Sequence, residues 1–163
     1  MKKLLILNGS PKKRKSQSEK FTAEFLKNFS EEQYEIDKIY LYELNYSKYL
    51  YEQITAADIL VLAAPLYVDC FPAKVLELFE GVEGYCKEIF CEKRPQCYLI
   101  INCGFMEYAQ NHTAIEIMKR FCSAVDFQFV QGVAIGSGAM ILNSRQKEEV
   151  SRSLYLLSRT IEG

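Results

Sequence analysis

Three short, almost uninterrupted apolar runs constrain this chain more than anything else in it. They are KLLIL (3–7), DILVLAA (58–64) and QCYLIIN (96–102). Each is too short for a buried helix and rich enough in branched residues for a strand. None alternates between apolar and polar, so each is buried on both faces, as in a parallel sheet covered by helices. Between the runs the pattern changes to helical spacing. Phe21, Phe25 and Phe29 predict a helix over 18–29, with a hydroxyl residue at its start. Val75, Phe79, Val82 and Cys86 predict a second, opened by Pro72. Ile115, Met118, Phe121, Cys122 and Val125 predict a third, and Val150, Leu154, Leu157 and Ile161 a last one over about 145–161. YEIDKIY (34–40) and the segment 127–135 complete five strands, and 42–54 is expected to be irregular with a short helical turn. The alternation gives an α/β layout, a five-stranded parallel sheet with helices on both faces.

At 163 residues the chain has the length of one domain. It has no internal repeat, linker or low-complexity stretch, so a single domain over 1–163 is expected. Net charge is −1, which argues against a nucleic-acid binder, whose face is normally basic. No apolar run is long enough for a membrane span, and the first apolar stretch is too short for a signal peptide. A cytoplasmic protein is expected. Its six cysteines, at 70, 86, 91, 97, 103 and 122, form no C-x-x-C pair, so free thiols are expected and a metal site is not.

For strand order 2-1-3-4-5, a ligand crevice lies beyond the carboxyl ends of the strands, where the order switches between the first and third. The loops there are the most unusual parts of the chain. After the first strand comes NGSPKKRKSQS (8–18). A helix start offers unpaired N–H groups and partial positive charge. Ser10, Ser16 and Ser18 add hydroxyls, Gln17 an amide, and four consecutive basic residues raise the potential. A phosphate monoester site and a capped helix behind a solvated basic loop both account for it. A nucleotide triphosphatase does not, because Arg14 stands where a phosphate-wrapping loop needs its second glycine. After the third strand, PLYVDCFP (65–72) is stiffened by two prolines and offers an aromatic and aliphatic wall, or simply a rigid turn packed on the core. After the fourth, NCGFM (102–106) combines an open glycine with soft apolar residues, which again suits a ligand wall or a plain turn. Together, a phosphate end and a flat-ring end match FMN. His112 reads as a surface or capping residue. The tyrosines at 40, 42, 46, 49 and 51 fit either a subunit surface or a locally packed segment. GSG (136–138) fits a contact to a cofactor or a neighbouring subunit, or a tight turn.

The segments LILNGSPKKRKSQSEKF, ADILVLAAPLYVDCFPAKVLELFE, NCGFMEYAQNHTAIEIMKRFC and GVAIGSGAMI resemble the NAD(P)H-dependent FMN reductase-like branch of the flavodoxin superfamily. The resemblance implies a flavodoxin-like three-layer sandwich with sheet order 2-1-3-4-5. It implies that Ser10, Lys12, Ser16, Gln17 and Ser18 hold the FMN phosphate. It places Pro65, Leu66, Tyr67 and Val68 beside the isoalloxazine ring, and Cys103, Gly104 and Phe105 on its pyrimidine side. Gln17 stands where the family more often has asparagine, and Lys12 where arginine is more usual. The activity implied is ping-pong hydride transfer from NAD(P)H, through bound FMN, to a small acceptor such as a quinone or a flavin. A homodimer is implied, with no nucleic acid or membrane as partner. The flavin carries the reaction, so no catalytic side chain or metal is expected. The alternatives are a flavodoxin-like electron carrier, for which a charge of −1 is weak, and a degenerate member that binds no flavin and acts through interactions.

Overall fold

The computed structural model describes residues 1–30, 32–89, 92–138 and 140–162. Its strands are β1 (Lys2–Asn8), β2 (Tyr34–Tyr40), β3 (Ile59–Pro65), β4 (Gln96–Asn102) and β5 (Gln128–Ile135). They alternate with helices α1 (Gln17–Leu26), α2 (Lys48–Thr55), α3 (Ala73–Glu88), α4 (His112–Ala124) and α5 (Lys147–Glu162). The five strands form one parallel sheet in the order β2-β1-β3-β4-β5.

The uninterrupted runs have a simple cause. Successive strand residues point to opposite faces, and here both faces are covered. Leu5, Leu7, Leu60, Leu62, Leu99 and Ile101 pack under α2, α3 and α4. Leu4, Ile6, Val61, Tyr98 and Ile100 pack under α1 and α5, against Phe21, Phe25, Leu154 and Leu157. Each fully buried Leu or Ile contributes roughly 1.5–3 kcal/mol as an upper estimate. Phe79 of α3 and Phe121 of α4 stack with ring centroids 4.0 Å apart, which locks those two helices together.

Three local departures from the sequence reading have physical reasons. The first helix ends at Leu26, and Phe29 instead packs on Phe25 and edge-on to Tyr34 across the turn into β2. The tyrosine-rich segment contains a helix of eight residues, α2, because Leu50 and Ile54 face the core at helical spacing. In that segment Tyr46 donates its hydroxyl to the Lys74 carbonyl, and Tyr51 lies against Tyr85. Gly81 makes room for the Tyr51 ring, since a β-carbon there would overlap its hydroxyl. Tyr46 and Tyr51 are therefore local packing, while Tyr49 remains exposed. Finally, β5 is an edge strand and only partly buried, unlike β1, β3 and β4. Asp126, at φ 60°, turns the chain just before it.

None of Cys70, Cys86, Cys97, Cys103 and Cys122 is in a disulfide, and Cys91 lies outside the described residues. Burial and a hydrogen bond with Cys122 hold the Cys97 thiol well above its usual range, the hydrogen bond contributing most. Among the described residues no His, Cys, Asp and Glu group could hold a metal, and no helix is long and apolar enough to cross a membrane.

The register positions the functional edge. Asn8 lies opposite Tyr40 and Ala63, and Asn102 lies opposite Pro65 and Ile135. The strands thus finish in near alignment, and the loops that follow β1, β3, β4 and β5 emerge along one edge.

Candidate functional site at the carboxyl edge of the sheet

The loop after β1 is built around Asn8. Its Oδ1 accepts from the Ser10 N–H at 3.0 Å, and its Nδ2 donates to Glu19 Oε2 at 3.1 Å and Ser16 Oγ at 3.4 Å. Gly9 is required by close approach: its N–H donates to the Ala63 carbonyl, and a β-carbon would lie 2.5 Å from Val75 of α3. Ser16, not Ser18, caps α1, its Oγ accepting from the Glu19 N–H at 3.0 Å. Ser18 sits one residue into the helix, where its Oγ accepts from Asn102 Nδ2 at 3.1 Å. Ser10 accepts from the Lys12 N–H. All three serines are buried, and their oxygens organise the loop itself.

The four basic residues divide. Arg14 pairs with Glu43 and lies over the Tyr40 ring, 4.3 Å from its centroid. Among the described residues, no carboxylate pairs with Lys12, Lys13 or Lys15. These three cations stand beside the start of α1, whose first N–H groups lack partners within the helix. Lys12 is exposed and Gln17, the first residue of α1, is half-buried.

The loop after β3 is held by a hydrogen bond from the Leu66 N–H to the Asn102 carbonyl, at 2.7 Å. Leu66 itself packs on the core. Beyond it the chain makes a two-residue hairpin. The Tyr67 N–H donates to the Cys70 carbonyl at 2.8 Å, and the Cys70 N–H returns to the Tyr67 carbonyl at 3.0 Å. The central residues, Val68 and Asp69, both have positive φ, 48° and 58°. That turn type suits Asn-Gly or Asp-Gly, and a β-branched residue in it is strained. Val68 nevertheless stands there 98% exposed, with Tyr67 half-exposed beside it. Phe71 is core, edge-on to Phe79.

The loop after β4 presents Phe105, Met106 and Tyr108 to solvent, while Cys103 is buried. Nothing lies within 4 Å of where a Gly104 β-carbon would stand. Asn111, fully buried, ties this loop down: its Nδ2 donates to the Tyr108 carbonyl at 3.0 Å and contacts Cys103 Sγ at 3.4 Å. Its Oδ1 has no hydrogen-bond partner among the described residues. The glycine motif after β5 is the seat for this loop. A β-carbon on Gly136 would fall on the Met106 carbonyl, and one on Gly138 would lie 2.9 Å from Asn102 Oδ1. The Ser137 and Gly138 N–H groups donate to the Phe105 and Cys103 carbonyls. His112 is exposed at the start of α4.

Every residue singled out in the sequence for ligand contact therefore lies on this one edge. The cationic groups and the helix start follow β1, and the exposed side chains of Tyr67, Val68 and Phe105 follow β3 and β4. Sequence reasoning passed over Asn8, Asn102 and Asn111, the buried amides that organise the loops. For two of them a signal existed, a polar residue closing an otherwise apolar run (LLILN and YLIIN).

Comparison with known proteins agrees with this architecture. Residues 2–120 match the model of the family described as having a flavodoxin-like fold. No curated protein gives a significant sequence match. Among solved structures, an FMN-dependent NADH-azoreductase from Bacillus anthracis, solved in complex with FMN, superposes with a TM-score of 0.77 at 16% identity over 100% of both chains. An NAD(P)H:quinone oxidoreductase from Methanothermobacter marburgensis gives 0.73 at 19% identity, over 99% of this chain and 96% of the other. The Trp repressor binding protein of Bacillus subtilis gives 0.70 at 13% identity, over 94% and 99%. At such identities the likeness is one of fold. The family match covers most of the chain, and its sheet order and loop edge are those found here: the chain belongs to the flavodoxin-like fold family.

Proposed function

We propose that this chain is an FMN-dependent oxidoreductase that passes electrons from NAD(P)H to a small acceptor, such as a quinone or a flavin. One observation carries the reading. Three lysines with no carboxylate partner among the described residues adjoin a helix start after β1, and exposed apolar side chains stand in the loops after β3 and β4 on the same edge. A phosphate monoester dianion suits the first, and a flat heteroaromatic ring the second. The azoreductase and quinone oxidoreductase of the same fold, named for FMN, NADH and NAD(P)H, support it.

In this reading Lys12 and Gln17, with the N–H groups at the start of α1, hold the phosphate. Ser10, Ser16 and Ser18 shape that cradle, and hydroxyl protons not used within it remain to be donated. Pro65, Leu66, Tyr67 and Val68 form the wall beside the ring, and Cys103, Gly104 and Phe105 close its pyrimidine side. The flavin, when bound, supplies the hydride and electron chemistry. The residues bind it, orient it, and leave one apolar face open for donor and acceptor in turn, which is the basis of ping-pong kinetics. Chain 1–163 works as a single domain, cytoplasmic and homodimeric, with neither nucleic acid nor membrane as partner.

The test is the visible spectrum of the purified protein and chromatography of any released flavin, followed by addition of NADH or NADPH. FMN near one per chain, bleached by either nicotinamide and restored by a quinone, is expected. A colourless protein that takes up no FMN refutes the reading.

A further inference from the structure

Asn102 links the start of α1, the end of β3 and the loop that follows β3. It closes β4 and is 5% exposed. Its Nδ2 donates to Ser18 Oγ in the first turn of α1 at 3.1 Å, and to the Ala64 carbonyl next to Pro65 at 3.2 Å. Its own carbonyl accepts from the Leu66 N–H at 2.7 Å, in the loop after β3. Its Oδ1 is the atom that a β-carbon on Gly138, in the loop after β5, would crowd at 2.9 Å. The next residue, Cys103, begins the loop after β4 and is bonded to β5 through its N–H to the Ile135 carbonyl.

We propose that Asn102 is a positioning residue that couples the phosphate end of the site to the ring end. Its two amide hydrogens leave one planar group, so Ser18 and Ala64 are held in a fixed mutual relation. Both bonds are buried, where losing either leaves a polar atom unpaired at high cost. A shift of the α1 start on taking up a phosphate therefore carries the Ala64–Leu66 segment with it. Occupation of the phosphate end preorganises the ring wall, and by linkage ring binding tightens phosphate binding by the same factor. The proposal rests on the FMN reading, and assigns to a buried residue the task of making the halves one site.

The test uses the flavin-free full chain. Riboflavin, which lacks the phosphate, is titrated by flavin fluorescence with and without saturating inorganic phosphate, and FMN is titrated alongside. For the unaltered chain, phosphate should tighten riboflavin binding by about tenfold. In Asn102→Ala the tightening should fall below about twofold, with the circular dichroism spectrum unchanged. A residue that only stabilises the fold would lower the melting temperature and leave that ratio intact. Gly138→Ala keeps Asn102 but displaces its Oδ1, and should also reduce the ratio; it decides the matter if Asn102→Ala does not fold. An undiminished ratio in the folded variants overturns the proposal, as does an unaltered chain that binds FMN yet shows no effect of phosphate on riboflavin. A chain that binds neither flavin overturns the FMN reading, and this proposal with it.

Discussion

Replacing Val68 by asparagine should stabilise this protein while weakening the FMN binding proposed above. Val68 is the first central residue of a two-residue hairpin and has φ 48°; Asp69 follows at φ 58°. For an L-residue the left-handed region costs roughly 1–2 kcal/mol, and branching at Cβ makes it worse. Asparagine is among the side chains best tolerated there. At 98% exposure the valine has almost no burial to lose, so little offsets the relief. Asparagine also avoids the extra unfolded-state entropy that glycine would bring. A gain of about 1 kcal/mol is therefore expected, which for a chain of this length raises the melting temperature by about 3 °C. Scanning calorimetry of Val68→Asn beside the unaltered chain measures it. An unchanged or lowered melting temperature would refute the strain argument. The second arm is functional. If Val68 is part of the ring wall, the stabilised variant binds FMN more weakly and turns over NAD(P)H more slowly, so strain at this turn is retained for contact. A variant that is both more stable and fully active would remove Val68 from the site.

Other expectations follow from the same geometry. Gly84, in α3, has open space where a β-carbon would stand, so Gly84→Ala should stabilise by about 0.5–1 kcal/mol through helix propensity. Gly136→Ala would drive its methyl into the Met106 carbonyl and should cost about 1–3 kcal/mol; urea denaturation compares the two. Replacing Lys12, Lys13 and Lys15 together by glutamine should weaken FMN binding about tenfold, flatten its salt dependence, and leave riboflavin binding unchanged; equal losses for both flavins would take the lysines away from the phosphate. Asp58 is held below the usual carboxylate range, first by Lys93 and then by the Lys3 N–H. Its folded pKa lies below the unfolded value, so its contribution is complete above about pH 4 and is lost as pH falls through the folded value. Below that pH, urea-measured stability should fall more steeply for the unaltered chain than for Asp58→Asn; parallel curves would show that the contact carries no linkage.

The class of fold and the edge that carries the candidate loops were legible in the sequence because both rest on local signals. KLLIL, DILVLAA and QCYLIIN can be buried only between two helical layers, and the helical spacing of Phe21, Val75, Met118 and Leu154 supplies those layers. A strand followed by a glycine or proline loop and then a helix places that loop at the carboxyl edge, whatever its side chains do. Tertiary structure alone decided how those loops are held. That Ser16 caps α1 while Ser18 turns inward to Asn102 depends on a residue 84 positions away in sequence, which no local pattern encodes. The division of the basic run, with Arg14 drawn to Glu43 and three lysines left without a carboxylate partner among the described residues, depends on where β2 ends. The glycines of the GSG turn are required by the Met106 carbonyl and by Asn102, and both arrive only when β4 and β5 pair in register. Periodicity reports which face of an element is buried; it does not report which backbone atoms another loop brings against it, and at this edge those close approaches hold the loops in place.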